Sequence, residues 1–155
     1  MKTPTLVYTT YIRSTPKEVW RAITNPEFTR RYWGGMTNVS DWKKGSGWQH
    51  LNPEKEVWLT GKVMESKAPK RLVLSWADPE RLKDVSRVTF EIEAIEDMVC
   101  LVVIHDKLKA GSKMHKGVSW GWPRVLGSLK SYLETGKGLN IFAGSKECKT
   151  KVKAK

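Results

Sequence analysis

The sequence predicts an α+β domain: a curved antiparallel sheet of about six to seven strands around one long C-terminal helix, with two short helices after the first strand. Three observations predict it. Two cap-and-proline signals, Thr15-Pro16 and Asn25-Pro26, follow directly on a strand-like N-terminal segment. From residue 36 to residue 106 the chain is a succession of strand-like segments separated by turn residues. A broad apolar stripe at helical spacing, Val125, Leu126, Leu129, Tyr132 and Leu133, then closes the domain.

Leu6 to Ile12 is rich in β-branched and aromatic residues and reads as the first strand. Thr15 is a candidate N-cap, Pro16 fits the first helical position, and Glu18 completes a capping box. Val19, Ala22 and Ile23 then share a helical face. Asn25-Pro26 starts a second short helix carrying Phe28 and Tyr32, and Gly34-Gly35 ends it. Met36 to Trp42 and Gly47 to Leu51 flank the turn Lys43-Lys44-Gly45-Ser46. Glu56 to Ser66 and Arg71 to Trp76 flank Ala68-Pro69-Lys70, and Asp78-Pro79 breaks the chain. Ser86 to Ala94 alternates, with Val88, Phe90 and Ile92 on one side and Arg87, Glu91 and Glu93 on the other. That pattern belongs to a half-buried antiparallel strand. It turns at Glu96-Asp97 into Val99 to Asp106. A Gly- and Lys-rich loop, Lys107 to Gly117, is expected to lead into the last helix. Pro123 is expected in that helix's first turn, with Trp122 or Ser119 as its cap, and Gly136 as its stop.

Of the 155 residues, 39% are hydrophobic and 28% charged, proportions that exclude wholesale disorder. Residues 1–139 read as one domain and residues 140–155 as a basic, flexible tail. Lys and Arg number 28 against 16 Asp and Glu, a net charge of +12. Part of that excess sits in the tail, and no basic helix face interleaved with aromatics occurs. A solvated basic surface is therefore expected, and nucleic-acid binding is disfavoured. No apolar run approaches the roughly eighteen residues of a membrane helix, and the N-terminus lacks the pattern of a secretory signal. Cys100 and Cys148 form no disulfide framework, and with three His they offer no metal-ligand cluster. A cytoplasmic domain with no metal or cofactor is the expectation.

Sequential hairpins give an antiparallel sheet with one apolar face, and the long helix has one apolar stripe, so the helix should lie across that face. A twisted sheet curls around a helix without touching it everywhere, which leaves room for a ligand pocket. Leu101, Val103 and His105 share one face of the last strand, and Val102, Ile104 and Asp106 the other. Alternation alone leaves the inward set open.

Several segments resemble one family. They are Val7 to Ile12, Thr15-Pro16-Lys17-Glu18-Val19-Trp20, and Asn25-Pro26-Glu27-Phe28 through Arg30-Arg31-Tyr32-Trp33. With them go Asp41-Trp42, Leu72-Val73-Leu74-Ser75-Trp76, Arg87 to Glu93, Gly121-Trp122-Pro123-Arg124 and Leu133-Glu134-Thr135-Gly136. Their order and spacing resemble bacterial relatives of the heat shock protein 90 ATPase activator, within the START-like or Bet v 1-like (SRPBCC) superfamily. The resemblance runs from Leu6 to Leu139 and implies the helix-grip fold, with a cavity between sheet and helix. It implies no shared catalytic residues. Relatives carry Thr where Val102 and Ile104 stand, which implies that this face is wet and that Leu101, Val103 and His105 point inward. Many relatives carry a small residue where Trp120 stands, so this indole is expected to narrow or fill the cavity mouth. The activator resembled here has a further N-terminal domain, and no segment of that size precedes Leu6, so chaperone contact is the weaker expectation.

The expected function is non-catalytic binding of a hydrophobic or amphipathic small molecule by Trp48, His50, Trp76, Phe90, Leu101, Val103, His105, Trp122 and Tyr132. Indoles and aliphatic side chains supply apolar walls, and the two imidazoles supply orientation. The bland alternative for each histidine is an ordinary structural role: His105 satisfied inside the core, His50 on a wet strand face. His115 is expected to be exposed. Lys107, Lys109, Lys113 and Lys116 on the loop could steer an acidic ligand. The enzyme alternative is a cyclase or dehydratase with His105 as acid and base. The interaction alternative is a chaperone-associated factor. Val102 and Ile104, if outward, form an apolar strip suited to a homodimer.

Overall fold

The computed structural model describes residues 3–144. The strands are β1 (Leu6–Ile12), β2 (Thr37–Ser40), β3 (Gly47–Leu51), β4 (Val57–Lys67), β5 (Arg71–Trp76), β6 (Ser86–Ile95) and β7 (Met98–Asp106). They form one antiparallel sheet in the order β1-β7-β6-β5-β4-β3-β2. The helices are α1 (Pro16–Thr24), α2 (Pro26–Tyr32) and α3 (Lys113–Thr135). This is the helix-grip: every hairpin is local, and the crossover through α1 and α2 carries the chain from one sheet edge to the other.

The local signals act as their chemistry predicts at the first two helices. The Thr15 side chain accepts from the Glu18 amide at 3.3 Å, and Asn25 accepts from the Glu27 amide at 2.9 Å. The Glu18 carboxylate faces Arg21 at 3.5 Å. Leu101, Val103 and His105 are fully buried beneath the helix, and Val102 and Ile104 lie on the outer face. That outer face carries Arg71 between Glu65 and Glu91, and Arg87 against Asp106.

Gly61 fixes the sheet at one point. It lies opposite Trp48 in the β3–β4 ladder. The Trp48 indole crosses over it and donates to the Ser75 carbonyl at 2.8 Å. A Cβ on Gly61 would lie 1.9 Å from that carbonyl oxygen and 2.6 Å from the indole nitrogen. No side chain fits at this close approach.

α3 differs from expectation. It starts at Lys113, capped by the Ser112 side chain, which accepts from the His115 amide at 3.1 Å. Pro123 therefore lies inside the helix rather than in its first turn. Pro cannot donate to the Ser119 carbonyl, and an interior Pro costs about 3 kcal/mol. Trp122, Val125 and Leu126 are buried around it, and that burial offsets the cost. The expected loop 107–117 shrinks accordingly. Lys107 and Lys109 stay in the connection, whereas Lys113 and Lys116 belong to the helix. His115 is half-buried rather than exposed, and its Nδ1 accepts from the Gly111 amide at 3.1 Å.

Of the segment expected as a tail, residues 140–144 are described and 145–155 lie outside the described residues. Ile141 is buried in the core. Arg124 donates to the carbonyls of Ile141 at 3.0 Å and Ala143 at 2.8 Å, holding this turn against α3.

Candidate functional site

Aromatic rings fill the middle of the space between sheet and helix. Trp122, from α3, sits between Trp33, Trp76 and Phe90, with ring centroids 5.7, 5.6 and 5.9 Å away. Trp48 lies 5.0 Å from Trp76. Further along, Tyr132 stacks on Tyr32 at 6.1 Å, and the Tyr32 hydroxyl donates to the Ala22 carbonyl at 2.9 Å.

His105 is closed into this packing. The Trp122 indole donates to His105 Nδ1 at 3.0 Å, so that nitrogen is the acceptor. Nε2 therefore carries the proton and donates to Ser86 Oγ at 2.8 Å. The Ser86 hydroxyl in turn donates to the Trp76 carbonyl at 3.2 Å. The chain is complete, and the ring has no exposed surface. Burial pushes the His105 pKa down to about 4, so the ring is neutral at pH 7. Both ring nitrogens of His105 are thus engaged by protein groups inside the core.

A cavity of about 390 Å³ remains at one end of the interior. Its walls come from β3 to β5, the connection after β5, the N-terminal half of α3 and the 141–142 turn. Of the expected residues, His50 and Trp76 line it. Trp48, Phe90, Leu101, Val103, His105 and Trp122 lie behind the wall in the core, and Tyr132 lies in the aromatic group around Tyr32. Sequence reasoning missed Trp33, Met36, Trp58, Leu59 and Met114, which supply much of the apolar lining. The available signal was Trp58, a bulky indole within a strand-like segment; the structure leaves it 55% exposed. Trp120 stands at the rim, 41% exposed, with the Arg124 guanidinium 4.4 Å from its ring centroid. It narrows the mouth without filling the cavity. The charged lining is mixed: Asp78 and Asp84 accompany Arg81 and Lys113. Of the four lysines proposed to steer an acid, Lys113 alone lines the cavity.

His50 is held from one side. Its Nδ1 lies 2.6 Å from Asn38 Oδ1. The Asn38 amide is oriented by its own nitrogen, which donates to the Ile23 carbonyl at 3.3 Å. Trp33 lies against the imidazole at 5.0 Å. Burial lowers the His50 pKa to about 4, so this ring too is neutral at pH 7. Beside it, the Trp76 Nε1–H is buried and has no hydrogen-bond partner among the described residues. Among the described residues, no group of three or more His, Cys, Asp or Glu is arranged to hold a metal ion.

A curved sheet gripping a long helix, with an apolar cavity at one end of the interior, defines a protein of the START-like, or SRPBCC, class. The sequence profile of the family described as Activator of Hsp90 ATPase homolog 1-like protein matches residues 13–134, and the chain belongs to that family. Solved structures agree in fold. Protein MLL2253 from Mesorhizobium loti superposes with a TM-score of 0.71 at 23% identity, over 84% of this chain and 97% of that one. The Aha1 dimer from Colwellia psychrerythraea gives 0.70 at 21% identity, over 87% and 99%. ChR145 from Cytophaga hutchinsonii gives 0.69 at 25% identity, over 88% and 98%. No curated protein matches the sequence. Among the described residues, no helix is long and apolar enough to cross a membrane.

Proposed function

We propose that the chain binds a hydrophobic or amphipathic small molecule in this cavity, without catalysis, in the cytoplasm. The observation that carries the reading is the cavity itself: about 390 Å³, walled mainly by indole, thioether and aliphatic groups, with a few polar groups converging on it. Each buried apolar group of a ligand contributes roughly 1.5–3 kcal/mol, so micromolar affinity, about 8 kcal/mol, needs several of them. Native mass spectrometry of freshly purified protein tests the reading by detecting a retained guest. A cavity-filling variant tests it a second way. Gly121 is in the lining and a Cβ there meets nothing within 4 Å, so the side chain of Gly121→Leu starts in open space and adds volume to the lining. The variant is expected to fold and to lose binding of an apolar probe such as 2-naphthol in calorimetry. Unchanged binding would rule the cavity out.

Two surface readings have their own support. The family description and the Aha1 relative favour a chaperone-associated role. Association with the host chaperone, followed by an ATPase assay, tests it, and no association at tens of micromolar dismisses it. The outer strip of Val102 and Ile104 pairs in register with Thr9 and Val7 of the edge strand β1, and Val7 and Tyr11 are half or more exposed. This strip supports a homodimer. Sedimentation of the full chain that stays monomeric at high concentration would exclude it.

A further inference from the structure

The geometry points to His50 Nε2 as a fixed hydrogen-bond acceptor that selects a neutral, hydroxyl-bearing ligand over an anionic one. The inference rests on the proposed small-molecule site and names its ligand class. It starts from the Asn38 amide. Because Asn38 Nδ2 is committed to the Ile23 carbonyl, Oδ1 is the atom that faces His50. A carbonyl oxygen only accepts, so His50 Nδ1 must carry the ring proton. The backbone supports this arrangement: the Asn38 amide donates to Thr29 Oγ1 at 3.1 Å, fixing the strand beside α2.

In a neutral imidazole with the proton on Nδ1, Nε2 carries a lone pair and no hydrogen. Nε2 has no protein partner among the described residues, and His50 forms part of the cavity wall. The ring is 4% exposed and flanked by Trp33, so water can replace a ligand donor only inside the cavity. The site thus offers a lone pair set in an indole-rich wall. An alcohol or phenol satisfies it by donating its O–H. A carboxylate has no hydrogen to donate, and its charge would be buried among apolar groups at a large cost. The cations among the lining, Arg81 and Lys113, are matched by Asp78 and Asp84, so the lining supplies no net positive charge to offset that cost. His105 shows the contrast within the same interior: there Nδ1 is the acceptor, and the protein fills it with the Trp122 indole.

The test uses 2-naphthol and 2-naphthoate, which share one ring system, in calorimetry with the full chain. Naphthol is expected to bind at least tenfold more tightly. His50→Phe, which keeps a flat ring and removes the acceptor, should bring the two probes within about threefold of one another. Nitrogen-15 spectra of the wild-type protein provide a reading that does not require the variant to fold. His50 should show a protonated Nδ1 and a bare Nε2, and the Nε2 resonance should move on adding naphthol. Equal or tighter naphthoate binding to the wild type overturns the selectivity and leaves the cavity reading standing. A protonated Nε2 in the free protein overturns it as well. Binding of neither probe overturns both the inference and the site on which it rests.

Discussion

The two ends of the interior use the same residue types to opposite effect. Around Trp122, four indoles, a phenylalanine and an imidazole close on one another, and every polar atom of His105 finds a protein partner. Around His50, indoles again dominate, yet about 390 Å³ stays open beside them. The difference lies in what each ring is tied to. Trp48 and Trp122 donate to groups inside the fold, Ser75 O and His105 Nδ1. Those bonds direct them into the gap between sheet and helix. Trp58 and Trp120 remain half-exposed, and they line the cavity rather than plug it. An abundance of tryptophan therefore says little about whether a fold is hollow. At the packed end, the N–H partners of Trp48 and Trp122 hold those rings in the gap.

The strongest way to break this contrast is to empty the packed end. Trp122→Ala removes a ring that is 3% exposed and leaves His105 Nδ1 without its donor. A loss of about 3–5 kcal/mol in urea unfolding is expected from the cavity, with the unpaired acceptor adding to it. A loss below about 1 kcal/mol would mean that the centre of the molecule is no better packed than its hollow end.

Adding one methyl group at each end sharpens the comparison. In Gly61→Ala the new Cβ collides with the Ser75 carbonyl, a backbone atom of the interior strand β5 that the Trp48 indole also holds. Destabilisation of about 1–3 kcal/mol or more is expected. In Gly121→Ala the same methyl meets open space on a helix. There the better helix propensity should raise stability by up to about 1 kcal/mol. Thermal unfolding of the two variants should shift in opposite directions, and shifts of the same sign would contradict the assignment of packed and hollow ends.

Acid treats the two ends alike. Burial holds both His50 and His105 at a pKa of about 4, against an ordinary value of 6.5. Below pH 6.5 the unfolded chain takes up protons that the folded chain refuses. Stability is thus full above about pH 6.5, declines as the pH falls, and the contribution is lost by about pH 4. Each histidine supplies a slope of about 1.4 kcal/mol per pH unit over that window. Denaturant titrations at several pH values should show this slope, and His50→Phe should reduce it by about half.

Much of the fold was legible because the signals are local. β1, β5 and the two short helices follow from alternation, Thr15-Pro16 and Asn25-Pro26. The inward set Leu101, Val103 and His105 was readable only with the help of the family resemblance, since both faces of β7 are apolar. The start of α3 was not legible. Gly117, Gly121 and Pro123 all oppose a helix locally, and tertiary burial of Trp122 overrides them. Less of the site was legible: of the nine expected residues, His50 and Trp76 line the cavity. His50 and Trp76 lie on strands whose pairing was readable, so their shared face could be inferred. The rest of the lining converges from segments more than a hundred residues apart, from Trp33 to Phe142, and no spacing rule links them.

The smallest expected effect on stability bears most directly on function. Trp58 lies on β4, lines the cavity and is 55% exposed, so the fold gains little from it. Trp58→Ala should change unfolding free energy by no more than about 0.5 kcal/mol, the usual range for an exposed position. A ligand in the cavity would cover the remaining face of this indole. Losing that cover should weaken an apolar probe such as 2-naphthol by about 1 kcal/mol, roughly fivefold in affinity. Trp122→Ala should give the reverse pattern, a large stability loss at a ring outside the cavity lining. Calorimetry and urea unfolding on the two variants form a crossed pair. If Trp58→Ala destabilised the fold by several kcal/mol and left naphthol binding unchanged, the indole would be a structural prop, and the open end of the interior would be only an imperfectly packed margin of the core.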